Sequence, residues 1–200
     1  GTTTKTWTHT VSDTGSLIVL SADIFQDIGG VGIIHPAPTW GGDSFTKAGS
    51  NRTGTKSAEM WYLVATSTGA KTVSVTVSGN TNAIKLSASS FTGVSTTSPL
   101  DAVATAGGSS GNPSASLTTL TTNDLVVTTL HRHSTTAAST NRTSLYNDSV
   151  ISTLGAASYQ LATSTGVYTD TYTGSASQNW AMVTAGFKPA TTATSSAAIS

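Results

Sequence analysis

Cysteine is absent from the 200 residues, which excludes thiolate nucleophiles, cysteine-ligated zinc and a disulfide framework. Charge is scarce: Asp, Glu, Lys and Arg make up 9% of the chain, against about 25% in an ordinary soluble protein. Lys+Arg 9 balances Asp+Glu 9, so no net field draws the chain to nucleic acid or to an anionic membrane. No basic cluster rises above Lys47, Arg52 and Lys56. Long hydrophobic runs are missing too. The longest apolar stretch, SLIVLSADIF from Ser16 to Phe25, is strand-sized and well short of the roughly 20 residues that span a bilayer, so membrane insertion is not expected. No signal peptide is recognisable, and a start at Gly1 rather than Met is compatible with prior processing. Helical periodicity is also lacking.

What the chain has is hydroxyl. Thr and Ser together fill about a third of the positions, and they alternate with apolar residues at period two between Gly, Asn, Asp and Ser turns. In KTVSVTVSG, Val73, Val75 and Val77 form one face while Thr72, Ser74, Thr76 and Ser78 form the other. SLIVLSADI reads as a strand buried on both sides, and EMWYLVA, TSTG, KTVSVTVS as a hairpin. The expectation is an all-β fold: a two-sheet antiparallel β-sandwich, jelly-roll-like, of about ten to twelve strands. No composition shift marks a boundary, so residues 1–189 read as a single sandwich domain. Residues 190–200 read as a low-complexity tail, either a linker or an arm that docks elsewhere.

The stretch MWYLVATSTGAKTVSVTVSG followed by IKLSASSFTGVSTTSPLD resembles a recurrent Thr/Ser-rich β-sandwich module of secreted bacterial and archaeal surface proteins and phage structural proteins. The likeness rests on Trp61, Tyr62, Leu63, Gly69, Thr72 to Val77, Ser78, Gly79, Phe91, Gly93, Val94 and Pro99, and on the closing NWAMVTAGFKP. These are core and turn residues, so the resemblance implies a fold and an extracellular, cell-surface or virion setting, with no catalytic motif to carry over.

Several residues are candidates for chemistry. His131 and His133 in HRH stand two apart on a strand and project from one face, as two imidazoles sharing a metal ion would; the third ligand has to come from elsewhere. Among the aromatics, Trp40 beside Gly41-Gly42 and Tyr168 and Tyr172 in GVYTDTYTG are the candidates for stacking on a sugar. Asn51, Asn141 and Asn147 head N-x-S/T triplets and are glycosylation candidates. The carboxylates are scattered singly. Asp23 and Asp27 in DIFQDIGG fall short of a calcium loop, G-x-S-x-G is missing, and no spacing suggests a glycosidase pair. No cofactor is expected.

The reading that follows is a non-enzymatic structural subunit or module of an extracellular or virion assembly, such as a surface fibre, decoration or stalk protein. Near-zero charge removes the repulsion that keeps copies apart, so its expected partners are other copies of itself or a larger surface or virion assembly. A carbohydrate-binding or adhesion module is the alternative, with glycans as partners. A jelly-roll hydrolase or lyase remains if distant carboxylates or His131 and His133 converge in a pocket.

Overall fold

The computed structural model describes residues 1–26, 33–79, 81–109, 111–134, 139–150, 153–174 and 177–191. Asp27 and residues 192–200 of the expected tail lie outside them. The first half of the chain runs β1 (Thr2–Val11), β2 (Leu17–Gln26), the two-residue strands β3 (Ile33–Ile34), β4 (Thr39–Trp40) and β5 (Asp43–Ser44), then β6 (Thr46–Thr53), β7 (Lys56–Val64), β8 (Gly69–Ser78) and β9 (Thr81–Phe91). The second half runs β10 (Leu100–Gly108), β11 (Ser114–Thr119), β12 (Asp124–Arg132), the short β13 (Ser139–Thr140), β14 (Thr143–Val150), β15 (Thr153–Ala162), β16 (Gly166–Thr173) and β17 (Trp180–Phe187). The protein is all-β and antiparallel, as the period-two pattern requires. No helix long and apolar enough to cross a membrane occurs among the described residues.

The sheets stack as in a β-sandwich, and they number four rather than two. The orders are β1-β8-β4-β5 with β3 also on β8, β6-β7-β2-β9, β10-β17-β12-β15-β14, and β11-β16-β13. Their buried clusters set the stacking. Val73, Val75, Val77 and Trp40 of the first sheet pack on Ile18, Leu20, Ala22 and Ile24 of the second. The opposite face of the second sheet, with Leu17, Val19, Ala58 and Met60, packs on Leu125, Val127, Val183 and Phe187 of the third. The far face of the third, with Leu130, Leu154 and Met182, meets Ala115 and Tyr172 of the fourth. The result is four β-layers with two inner sheets, which is why β2 and β12 are apolar on both faces.

The pairing pattern occurs twice. β1 pairs β8 as β11 pairs β16; β2 lies between β7 and β9 as β12 lies between β15 and β17; β6 borders β7 as β14 borders β15. Registers match as well. Leu17 sits between Val64 and Phe91, and Leu125 between Leu161 and Phe187. The edge-strand bulge falls between Lys47 and Gly49 in one half and between Ser144 and Tyr146 in the other. Asn123, the one positive-φ non-glycine among the described residues (φ 62), stands where the first half has Gly15 (φ 79), because the same turn enters the inner strand in both halves. ATSTG leads into β8 from Ala65 and into β16 from Ala162.

The halves meet through their inner sheets by a reciprocal contact. Tyr62 meets Phe187 edge-on at 5.6 Å, and Phe91 meets Tyr159 at 5.6 Å. Tyr62 and Tyr159 are equivalent positions in the repeat, as are Phe91 and Phe187. Each half therefore gives the other the same ring pair, the signature of a two-fold interface, here within one chain.

Candidate functional site

The layer between the inner sheets changes character along its strands. One end holds Leu17, Phe91, Leu125, Tyr159 and Phe187. The other end, reached through Asp23 and Phe25 on β2 and Thr129 and His131 on β12, is polar. Asp23, fully buried, accepts a hydrogen bond from Thr129 Oγ1 at 3.2 Å and a short one from the Tyr146 hydroxyl. Burial drives its carboxyl well above the usual range, only partly opposed by those hydroxyls and by Lys85. Gly155 is required opposite it, because a Cβ there would lie 2.6 Å from Asp23 Oδ2.

Around Asp23 the halves exchange further polar contacts. Lys85 Nζ pairs with Asp148 Oδ2 at 2.6 Å. His131 Nδ1–H donates to the Ser57 carbonyl at 3.0 Å, which fixes the tautomer because a carbonyl can only accept. Burial, and then the neighbouring Lys56 charge, push His131 down to about 3. Every one of these links joins a first-half residue to a second-half residue, so the network sets how the halves seat on one another.

Next to it, at the open end of the layer, a cavity of about 320 Å³ is lined by Phe25, Thr55, Lys56, Ser109, His133, Ser177, Gln178 and Asn179. Lys56 is 2% exposed, its ammonium lies 3.1 Å from the centroid of the Phe25 ring, and burial lowers its pKa to about 8. His133 Nδ1 meets Gln178 Oε1 at 3.1 Å. A second cavity, about 290 Å³, opens at the apolar end beside Phe91, Val94, Tyr159, Leu161 and Phe187.

His131 and His133 do face the same interlayer end. No group of three or more His, Cys, Asp or Glu side chains able to hold a metal occurs among the described residues, and the cation beside His131 is Lys56. Trp40 is fully buried, its Nε1–H donating to the His9 carbonyl at 3.0 Å and Lys71 covering its ring at 4.5 Å. Tyr172 is 1% exposed, with its hydroxyl on Ser158 Oγ at 2.8 Å. Neither ring keeps a free face for a sugar, because both sit on the inward side of an outer sheet. Tyr168 also packs inward, against Leu117 and Val126, with its hydroxyl donating to the Ser164 carbonyl at 2.9 Å. Of the sequon asparagines, Asn51 turns its amide to the Ala106 carbonyl. Asn141 is exposed and clamps β16 through Thr169 and Thr171. Asn147 is half-buried on β14.

Two carboxyls missed by spacing do converge. Asp124 is buried, and its burial, with Asp101 beside it, raises it to about 7. Asp101 is lowered: burial pushes its carboxyl up, and the Leu120 N–H at 2.7 Å and Thr121 hydroxyl at 3.0 Å outweigh that. Neither aspartate is among the lining residues of these two cavities, and Asp101 ties down the turn before β12 through its bonds to Leu120 and Thr121. Glu59, also buried, is fully engaged by Lys47 at 2.9 Å, Trp61 Nε1 at 3.1 Å and the Ile34 N–H at 3.2 Å.

Sequence reasoning missed Lys56 and the Asp23 network. The available signal was Asp23 itself, a carboxylate inside a strand that reads as buried on both sides. No family model matches the chain, no curated protein is similar to it, and no solved structure matches its fold.

Proposed function

We propose that the protein is a non-enzymatic structural subunit or module of an extracellular or virion assembly, a surface fibre, decoration or stalk protein, that associates with further copies of itself. The observation that carries this reading is the pair of outer faces. On the first outer sheet, Thr4, Thr6 and Thr8 are exposed and stand opposite Thr76, Ser74 and Thr72, with Thr4 and Thr76 hydroxyls 2.9 Å apart. On the second, Ser116 meets Thr169 at 2.8 Å and Ser114 meets Thr171 at 3.3 Å. Both faces are ladders of paired hydroxyls on β-branched strands, well hydrated and uncharged, which suits copies held side by side at high density.

β1 adds a route to contact. Its partner among the described residues is β8 alone, so alternate residues along its ten turn backbone donors and acceptors outward, guarded by the single charge of Lys5. The test is sedimentation velocity with electron microscopy of the full chain, against a variant carrying Thr4→Lys, Thr6→Lys and Thr8→Lys. Mass growing with concentration in the parent and lost at low salt in the variant is the expected result. A parent that stays monomeric at every concentration rules out the reading.

The carbohydrate-binding alternative loses the ring faces of Trp40 and Tyr172, enclosed as they are. What it retains is the Lys56 cavity.

A further inference from the structure

The geometry points to the Lys56 cavity as a binding site for a small hydroxylated carboxylate, an acidic sugar of the hexuronate class. The argument starts from the cation. Lys56 opens β7 and pairs in register with Phe25, and the second half of the chain closes over both. Its ammonium is thereby stripped of most of its water, yet among the described residues no carboxylate lies within ion-pair distance of it; its partner is the face of the Phe25 ring. A desolvated, unpaired cation is costly, and a bound anion removes that cost. Among the described residues no acidic side chain lines the cavity, so none of them competes with an incoming carboxylate.

The remaining lining chemistry selects what the carboxylate is attached to. Thr55, Ser109 and Ser177 offer hydroxyls, Gln178 and Asn179 amides, and His133 an imidazole held by Gln178. Neutral groups that both donate and accept suit a ring of hydroxyls, and a cavity of about 320 Å³ reaches the lower end of the size range of small-molecule sites. A plain short carboxylate would use Lys56 alone and leave those groups to water. A neutral hexose would use them and leave the cation bare. The site draws residues from both halves, Phe25, Thr55 and Lys56 from the first and Ser109, His133, Ser177, Gln178 and Asn179 from the second, so it exists only because the halves are stacked. The inference is independent of whether copies assemble, since β1 and the outer ladders lie on other layers.

Titration calorimetry of the full chain with sodium glucuronate, glucose, acetate and inorganic phosphate tests it. Glucuronate should bind saturably at one site, with glucose and acetate each at least about tenfold weaker, a difference of about 1.4 kcal/mol. Lys56→Met, close in shape and uncharged, should abolish glucuronate binding while keeping a cooperative unfolding transition and the parent's sedimentation behaviour. Should that variant fail to fold, Gln178→Ala with Asn179→Ala replaces it, expected to weaken glucuronate while leaving acetate unchanged. Equal binding of glucuronate and glucose, phosphate binding as tight as glucuronate, or unaltered glucuronate binding without Lys56 each overturns the assignment.

Discussion

Replacing Asp23 by Asn tests whether the carboxyl that seats the two halves works as an acid or as an anion. Thr129 and Tyr146 each donate to one oxygen of the anion; in the protonated carboxyl one of these hydroxyls turns to accept the acid's hydrogen, and an amide makes the same two bonds. If burial holds Asp23 neutral, Asp23→Asn should cost less than about 1 kcal/mol near neutral pH. Asp23→Ala removes the partner of both Thr129 and Tyr146 and should cost roughly 2–6 kcal/mol, from about 1–3 for each hydroxyl left unsatisfied in the interior. The sign with pH follows from linkage. The native carboxyl keeps its proton above the unfolded value of about 3.9, so the stability it contributes is present in acid and is lost as pH rises through the native value. Urea unfolding followed by Trp fluorescence from pH 4 to 8 should show the parent falling relative to Asp23→Asn, by at most about 1.4 kcal/mol per pH unit. A loss of about 3 kcal/mol in Asp23→Asn at neutral pH, growing as pH rises, would refute the reasoning and make Asp23 a stabilising anion.

Two further outcomes test the packing and the second acidic site. Double-mutant cycles on Tyr62 with Phe187 and on Phe91 with Tyr159 should give equal coupling, about 0.5–1.5 kcal/mol each, because the two ring pairs are the same contact made twice; coupling in one cycle alone would break the two-fold reading. Asp124, raised to about 7 in the fold, contributes stability that is lost as pH climbs from about 4 through 7, so Asp124→Asn should flatten thermal stability over that window, and a variant that keeps the parent's slope would exclude Asp124 as its source.

Much of the architecture was readable as period two. Val73, Val75 and Val77 against Thr72, Ser74 and Thr76 announced a sheet with one dry and one wet face, and β8 is that sheet. SLIVLSADIF announced a doubly covered strand, and β2 is covered on both sides. The duplication was harder to read, although ATSTG occurs twice, because the repeat is kept in register and lost in identity: Val73 aligns with Asp170, Val75 with Tyr172 and Trp61 with Ser158. A buried Asp170 is tolerated where Val73 was needed because Ser158, at 2.6 Å, and Thr140, at 3.2 Å, hydrogen-bond its carboxylate. Trp40, beside two glycines, read as less buried than the other tryptophans. Its burial comes from pairing with Val73, more than thirty positions away, which local sequence does not encode. Lys56 was unreadable for the same reason, since what covers it belongs to the other half of the chain.

The back-to-back seating of the halves turns their hydroxyl faces in opposite directions. An object that adheres on one side only stops growing at a pair, whereas one that adheres on two opposed sides adds neighbours without limit and makes a rod. If copies meet through these surfaces, the doubling of the sandwich fixes the valence at two. Filament length would then follow from concentration, and a chain missing either half would act as a terminator.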